Sequence, residues 1–264
     1  MIFALPLYDD NPIQRTPVVT WVLIGMCVGA YLWELGQDQA AVATQYGMVP
    51  AVLFGHARLA PGLAAIPPWA TIFTSMFLHG GLLHLGGNML FLWIFGNNIE
   101  DVLGRFRYLL LYLVSGVAAA LAQAVPDLSS DIPMIGASGA VAGVLGAYLM
   151  LYPRANVHVF VWIIIFFWIV TVPAWLMLGL WFLMQLLSGL SAGVHSPGVA
   201  VWAHAGGFVT GVALLAVLRR PQQVQLLHPQ RSAPFQTAPP GALVGRRTFH
   251  GSVPDAGRHP WDSF

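Results

Sequence analysis

Long apolar segments alternate with short polar ones along most of this chain. Six of the apolar segments approach or reach the length of about 20 residues that an α-helix needs to cross a bilayer. They lie at about 17–36, 80–98, 108–125, 135–152, 174–191 and 199–218. The pattern predicts six membrane-spanning helices, so the expected fold class is an all-α membrane protein built as a six-helix bundle.

One apolar stretch does not fit a single span. Residues 157–190 are almost wholly apolar, which is too long for one straight helix, and Pro173 divides them. The first part is rich in β-branched and aromatic residues. A seventh span here would move the arginines that follow the last helix to the external side, so we interpret 157–173 as an interfacial or re-entrant cytoplasmic segment. Such backbone is tolerated where protein covers it.

The two ends of the chain differ from its middle. Residues 221–264 are rich in Pro, Gln, Gly and Arg and have little apolar periodicity, which is typical of disordered chain. We therefore predict a cytoplasmic N-terminal segment at 1–16, a helical domain at 17–220 and a disordered cytoplasmic tail at 221–264.

Composition supports a membrane protein. Hydrophobic residues make up 57% of the chain and charged residues only 8%, whereas soluble domains carry about 25% charged residues. A net charge of +1 gives no sign of a nucleic-acid partner. The single cysteine, Cys27, has no partner for an intrachain disulfide.

Arginine positions predict the orientation of the helices. Arg15, the pair Arg105 and Arg107, Arg154 and the pair at 219–220 all fall on one side of the six spans, and only Arg58 falls on the other. By the positive-inside rule both termini are cytoplasmic. The N-terminus has no basic region or signal cleavage site, so the first apolar segment is expected to stay as a span. We expect a multi-pass protein of the bacterial inner membrane.

Four of the polar side chains inside the predicted spans are prominent. They are His84 and Asn88 in span two, Ser138 in span four and His204 in span six. Polar residues within a membrane are costly and point to function. Because these three spans all run inward, the four residues are expected at one depth, near the external face, with Ser138 about one turn into its helix.

Glycines surround two of these residues. Small residues at a spacing of four let membrane helices approach closely. The predicted packing positions are Gly136, Gly139, Gly143, Gly207 and Gly211. Close approach is needed because a short serine side chain reaches a histidine on another helix only when the two backbones nearly touch.

The residue types suggest hydrolytic chemistry. A serine hydroxyl becomes a strong nucleophile when a nearby base takes its proton, and histidine suits that task at neutral pH. Spans four and six contain no Asp or Glu, so the sequence predicts a Ser138–His204 dyad without a third member. His84, Asn88 and the backbone N–H of Ser138 are candidate donors to an oxyanion.

Each of these residues, taken alone, is also compatible with a role outside catalysis. A serine in a membrane helix usually bonds to its own helix, and we expect this of Ser115 and Ser188. His84 and His204 could be axial haem ligands, and the protein could bind transmembrane helices without cutting them. The absence of an H-E-x-x-H motif or cysteine cluster argues against a zinc protease.

Three motifs together resemble the rhomboid family of intramembrane serine proteases. They are HGGLLHLGGN at 79–88, GASG at 136–139 and AHAGGFVTG at 203–211. The resemblance covers residues 17–219. It implies Ser138 as nucleophile, His204 as base, and His84 and Asn88 in oxyanion stabilisation. It also implies peptide-bond hydrolysis in or beside transmembrane segments of other proteins, near small or helix-weakening residues, without a cofactor. One departure is Trp69, which is followed by Ala70 where the family often has arginine.

Overall fold

The computed structural model describes residues 2–163, 165–192 and 201–219. The predicted tail at 221–264 lies outside these residues. In chain order the elements are β1 (Ile2–Asp9), α1 (Val18–Glu34), α2 (Gln39–Tyr46), α3 (Pro50–Leu53), α4 (Pro68–Thr74), α5 (Leu82–Phe91), α6 (Asn97–Leu103), α7 (Arg105–Ala124), α8 (Ser138–Leu151), β2 (Asn156–Ile163), β3 (Phe166–Pro173), α9 (Ala174–Ala192) and α10 (Val201–Leu218). A π-helical turn, Leu92–Gly96, joins α5 to α6.

Helices occupy the six apolar segments of the sequence. Within the described residues two of them, α7 with 20 residues and α10 with 18, are long and apolar enough to cross a membrane. The helices α1 and α8 and the part of α9 at 174–187 are apolar but shorter. The remaining segment is one helical run through α5, the π-helical turn and α6. The chain is therefore mostly helical.

The prediction of an all-α fold is wrong in one region. Residues 157–163 and 166–173 belong to two strands, β2 and β3, which form an antiparallel sheet with β1 in the order β1-β2-β3. The segment folds this way because its Val, Ile, Phe and Trp residues favour strands. The N-terminal strand β1 then supplies a second partner for β2, with an irregularity between Pro6 and Tyr8.

A partly buried polar cluster joins the sheet to the helices. The carboxylate of Asp9, at the end of β1, accepts hydrogen bonds from the hydroxyl of Tyr148 in α8 and the amide of Asn98 in α6. Asn11 donates to both Asp9 and Tyr148. Burial raises the pKa of the Asp9 carboxyl, and these hydrogen bonds oppose the rise. The cluster fixes the sheet against one end of α8.

The long segment after α1 packs against α7. It contains the short helices α2, α3 and α4. Met48 pairs with Met134 through two backbone hydrogen bonds of 3.0 and 2.8 Å. Trp69, in α4, is largely exposed. The Met48–Met134 pairing holds the chain that leads into α8, where the candidate serine lies.

A buried carboxylate caps the start of α1. Glu100 of α6 is 3% exposed. It accepts hydrogen bonds from the backbone N–H of Val19 at 2.9 Å and from the N–H and hydroxyl of Thr20, both at 2.8 Å. The first N–H groups of a helix have no partner within it. Glu100 therefore supplies the cap that the local sequence of α1 lacks.

Substituting Glu100 tests this cap. We expect Glu100→Ala to lower the free energy of unfolding in detergent by about 3 kcal/mol, because buried donors lose a charged acceptor. Glu100→Gln keeps one acceptor oxygen and should lose less. Equal stability of all three proteins in thermal unfolding would show that the cap contributes nothing.

Candidate active site

Ser138 is the first residue of α8. Gly136, two residues before it, has a φ of 128°, which favours glycine. The N–H of Gly136 donates to the carbonyl of Ser75 at 2.8 Å. The expectation that Ser138 lies a turn inside its helix is therefore wrong, because this turn and the Met48–Met134 pairing delay the helix start. Ser138 stands half-buried at the helix N-terminus.

His84 and Ser138 lie on either side of Gly136. A Cβ placed on Gly136 would be 2.9 Å from Nε2 of His84 and 3.7 Å from Oγ of Ser138. Only glycine leaves room for the imidazole in this position. The side chain of His84 is exposed, and its ring meets the fully buried ring of His79 edge-on at 5.2 Å. His84 is thus placed to contact a molecule that approaches Ser138.

Asn88 is one turn further along α5 and is 7% exposed. Its Nδ2 donates to the backbone carbonyl of His84 at 3.0 Å. In this conformation the amide bonds to its own helix. To reach an oxyanion at Ser138 it would have to exchange that hydrogen bond for a new one.

Helices α8 and α10 touch through their glycines. A Cβ on Gly207 would overlap the carbonyl oxygen of Gly139, and one on Gly211 would overlap the carbonyl oxygen of Gly143. These four glycines therefore lie at the contact between α8 and α10. Gly139, the residue after Ser138, also faces Ala203, the residue before His204.

His204 is buried with one ring nitrogen satisfied and the other free. The residue is 8% exposed, and its Nδ1 lies 2.9 Å from Oε1 of Gln185 in α9. An amide oxygen only accepts, so in the tautomer that makes this hydrogen bond Nδ1 carries the proton and Nε2 has a lone pair. Within the part of the chain that the structure describes, Nε2 has no hydrogen-bond partner.

The predicted hydrogen bond between Ser138 and His204 is not formed here. Both residues lie near the N-terminal ends of their helices, α8 and α10, which pack side by side. In free enzymes catalytic contacts are often long and shorten when substrate binds. A cavity of about 10 Å³ lies beside Ser138, about enough for one water molecule. It is lined by Met76, Gly116, Met134, Ser138, Gly139 and Ala203, among others.

Gln185 is a site residue that the sequence-based prediction omits. A signal exists, since it is the one amide in the apolar stretch 174–187. The sequence-based argument for a dyad considers a third member only as an Asp or Glu in span four or six. An amide in span five, such as Gln185, is therefore not considered.

The expectation for Ser115 is wrong. Its hydroxyl is fully buried and has no hydrogen-bond partner among the described residues, and it packs against Gly143. The side chain of Ser188 lies outside the described residues. Among those residues no group of three or more His, Cys, Asp or Glu side chains is arranged to hold a metal ion.

Comparisons with known proteins support one family. The family model of the Rhomboid domain matches residues 67–221. Rhomboid protein 1, mitochondrial, of Saccharomyces cerevisiae is 39% identical over 95 residues, 34% of this chain and 28% of the relative. Rhomboid protease GluP of Bacillus subtilis is 41% identical over 87 residues, 33% of this chain and 17% of the relative.

A plant relative is matched over a longer stretch. RHOMBOID-like protein 4 of Arabidopsis thaliana is 38% identical over 143 residues, 54% of this chain and 32% of the relative. The matches thus span a third or less of the length of these three relatives.

Proposed function

The chain belongs to the rhomboid family, and we propose that it is an intramembrane serine endopeptidase with Ser138 as nucleophile and His204 as general base. The observation that carries this proposal is the state of His204, on the helix that packs against the start of α8. Its Nδ1 is bound to Gln185, and its buried Nε2 has no hydrogen-bond partner within the described part of the chain. An imidazole in this tautomer is ready to take a proton.

The proposed reaction follows acyl-transfer chemistry. Nε2 of His204 takes the proton from Oγ of Ser138 as Oγ attacks the carbonyl carbon of the scissile peptide bond. Collapse of the tetrahedral intermediate breaks the C–N bond, and the leaving amine receives the proton from His204. Water, activated by the same base, then hydrolyses the acyl-enzyme.

Three donors are proposed to stabilise the oxyanion. The backbone N–H of Ser138 is one of the first four in α8 and has no acceptor within the helix. His84 is exposed beside Ser138, across Gly136. Asn88 completes the set once its amide leaves the carbonyl of His84. Stabilising the negative oxygen in this way is a large part of the rate enhancement in acyl transfer.

The proposed membrane arrangement has six spans, with both termini on the cytoplasmic side and Ser138 near the external face. An open sheet cannot cross the hydrocarbon region, since its edge groups would lack partners. The strands β1, β2 and β3 are therefore assigned to the cytoplasmic surface, in agreement with the arginine pattern. One relative is named as mitochondrial, so the bacterial inner membrane stays a prediction.

The test uses the full chain reconstituted into liposomes. Transmembrane substrates would be offered as pairs that differ only in small or helix-weakening residues near the external end of the segment. We expect cleavage of the weakened member, and inhibition by serine-reactive reagents. A Soret band in the purified protein would favour haem binding instead, and substrate retained uncut would favour a non-catalytic binder.

Asn88→Ala should slow turnover about 100-fold without abolishing it, because one of several oxyanion donors is lost. Asn97→Ala, in the same helical run, is the matched control and should stay within a few-fold of wild type. If the two variants cleave the same substrate at the same rate, Asn88 has no part in oxyanion stabilisation.

A further inference from the structure

One polar side chain from α9 contacts the proposed base. Gln185 is the amide whose Oε1 lies 2.9 Å from Nδ1 of His204. An amide inside an apolar helix is costly in a membrane unless it is bonded. Here the bond is made to the one histidine that the proposed mechanism uses as a base.

A second contact comes from the same face of α9. Trp181 is one helical turn before Gln185, and its ring lies 5.7 Å from the ring of His204 at an angle of 43°. Trp181 is itself 6.3 Å from Phe91 of α5. The imidazole is thus held by an aromatic ring against its surface and by a hydrogen bond at Nδ1.

We propose that Gln185 is a positioning residue for His204: its amide oxygen fixes the proton on Nδ1, so that the lone pair of Nε2 faces the region of Ser138. This inference rests on the proposed function of His204 as base. Gln185 then occupies the place that a carboxylate holds in Ser-His-Asp enzymes. Unlike a carboxylate, it selects the tautomer without adding a buried negative charge.

An uncharged partner has a chemical consequence. During catalysis His204 becomes an imidazolium, and an amide stabilises that cation less than a carboxylate does. The role of Gln185 is therefore one of geometry and tautomer. Its loss should reduce turnover more than substrate binding, since its hydrogen bond is made to the proposed base.

The test compares Gln185→Leu with Gln185→Glu, which keeps an acceptor oxygen, and with Met184→Ala, an exposed neighbour on α9. We expect Gln185→Leu to lower kcat about 10- to 100-fold, a fraction of the effect of general base catalysis, with KM within about twofold. Gln185→Glu should recover most of the rate, and Met184→Ala should match wild type.

A spectroscopic measurement separates positioning from a general structural role. Nitrogen-15 NMR of histidine-labelled protein, with His204→Ala to assign the signal, should show protonated Nδ1 in wild type and a mixture of tautomers in Gln185→Leu. If that variant does not fold, Gln185→Asn, which withdraws the amide by one methylene, takes its place with the same expectations.

The outcomes distinguish this inference from the function on which it rests. Cleavage by wild type, with the same kcat and the same tautomer in Gln185→Leu, would overturn the positioning role and leave the protease function intact. No cleavage by wild type would remove the function. A wild-type His204 protonated on Nε2 would overturn the inference whatever the activity.

Discussion

Replacing Ser138 by alanine should abolish proteolysis, lowering the rate by at least about 10⁴-fold. The reason is chemical: without Oγ no acyl-enzyme forms, and the free Nε2 of His204 has no hydroxyl to activate. Ser138 is half-buried at the first position of α8, so alanine there should leave folding nearly unchanged. The measurement is cleavage of a transmembrane substrate in liposomes beside thermal unfolding of the same preparation.

A second serine provides the control for this prediction. Ser115 is buried, and its hydroxyl has no hydrogen-bond partner among the described residues, so Ser115→Ala removes a hydroxyl without breaking a bond. It should retain activity. Appreciable proteolysis by Ser138→Ala, or equal loss in both variants, would refute the assignment of the nucleophile.

Gly211→Ala should destabilise the protein by about 3 kcal/mol or more and remove activity with it. The added Cβ would overlap the backbone carbonyl oxygen of Gly143, and a backbone atom cannot move aside as a flexible side chain does. The two helices would have to separate, which costs more than ordinary overpacking of a core. The separation would also move His204 away from Ser138. Unfolding in detergent measures the effect.

The matched control is a helical glycine with free space around it. A Cβ on Gly29, in α1, meets no atom within 4 Å. Gly29→Ala should therefore be neutral or stabilising by up to about 1 kcal/mol, since alanine favours helix. If both alanine variants are as stable as wild type, then α8 and α10 do not depend on glycine contact.

The helices and their packing could be predicted because both depend on strong patterns. Apolar segments of about 20 residues have few alternatives to helix in a membrane. Glycines at a spacing of four mark a helix contact, and Gly139, Gly143, Gly207 and Gly211 do meet there. These signals lie within one segment and can be recognised without knowing its neighbours.

The sheet cannot be predicted from local pattern because its partners are distant in sequence. The strand β1 pairs with β2, joining Ile2 to Ile163 and Asp9 to Val157. An apolar run of β-branched residues can form helix or strand, and hydrophobicity alone does not distinguish them. The N-terminal strand, at a separation of about 150 residues, decides the outcome.

In the candidate site too, residue types can be interpreted from the sequence, whereas contacts between distant segments cannot. The chemistry of Ser138 and His204 could be inferred from residue type, and their roles stay predictions. The start of α8 cannot be placed from the local sequence because the pairing of Met48 with Met134 is a contact between distant segments. Gln185 was missed because its partner nitrogen belongs to another helix, α10.

The most direct test of the central claim is labelling of the purified full chain with a fluorophosphonate, followed by mass spectrometry of the modified peptide. This measurement needs no substrate. The account predicts a single modified serine at position 138 and no labelling of either Ser138→Ala or folded His204→Ala. Labelling at full rate in folded His204→Ala, or none of wild type with several serine-reactive reagents, would contradict an activated Ser138.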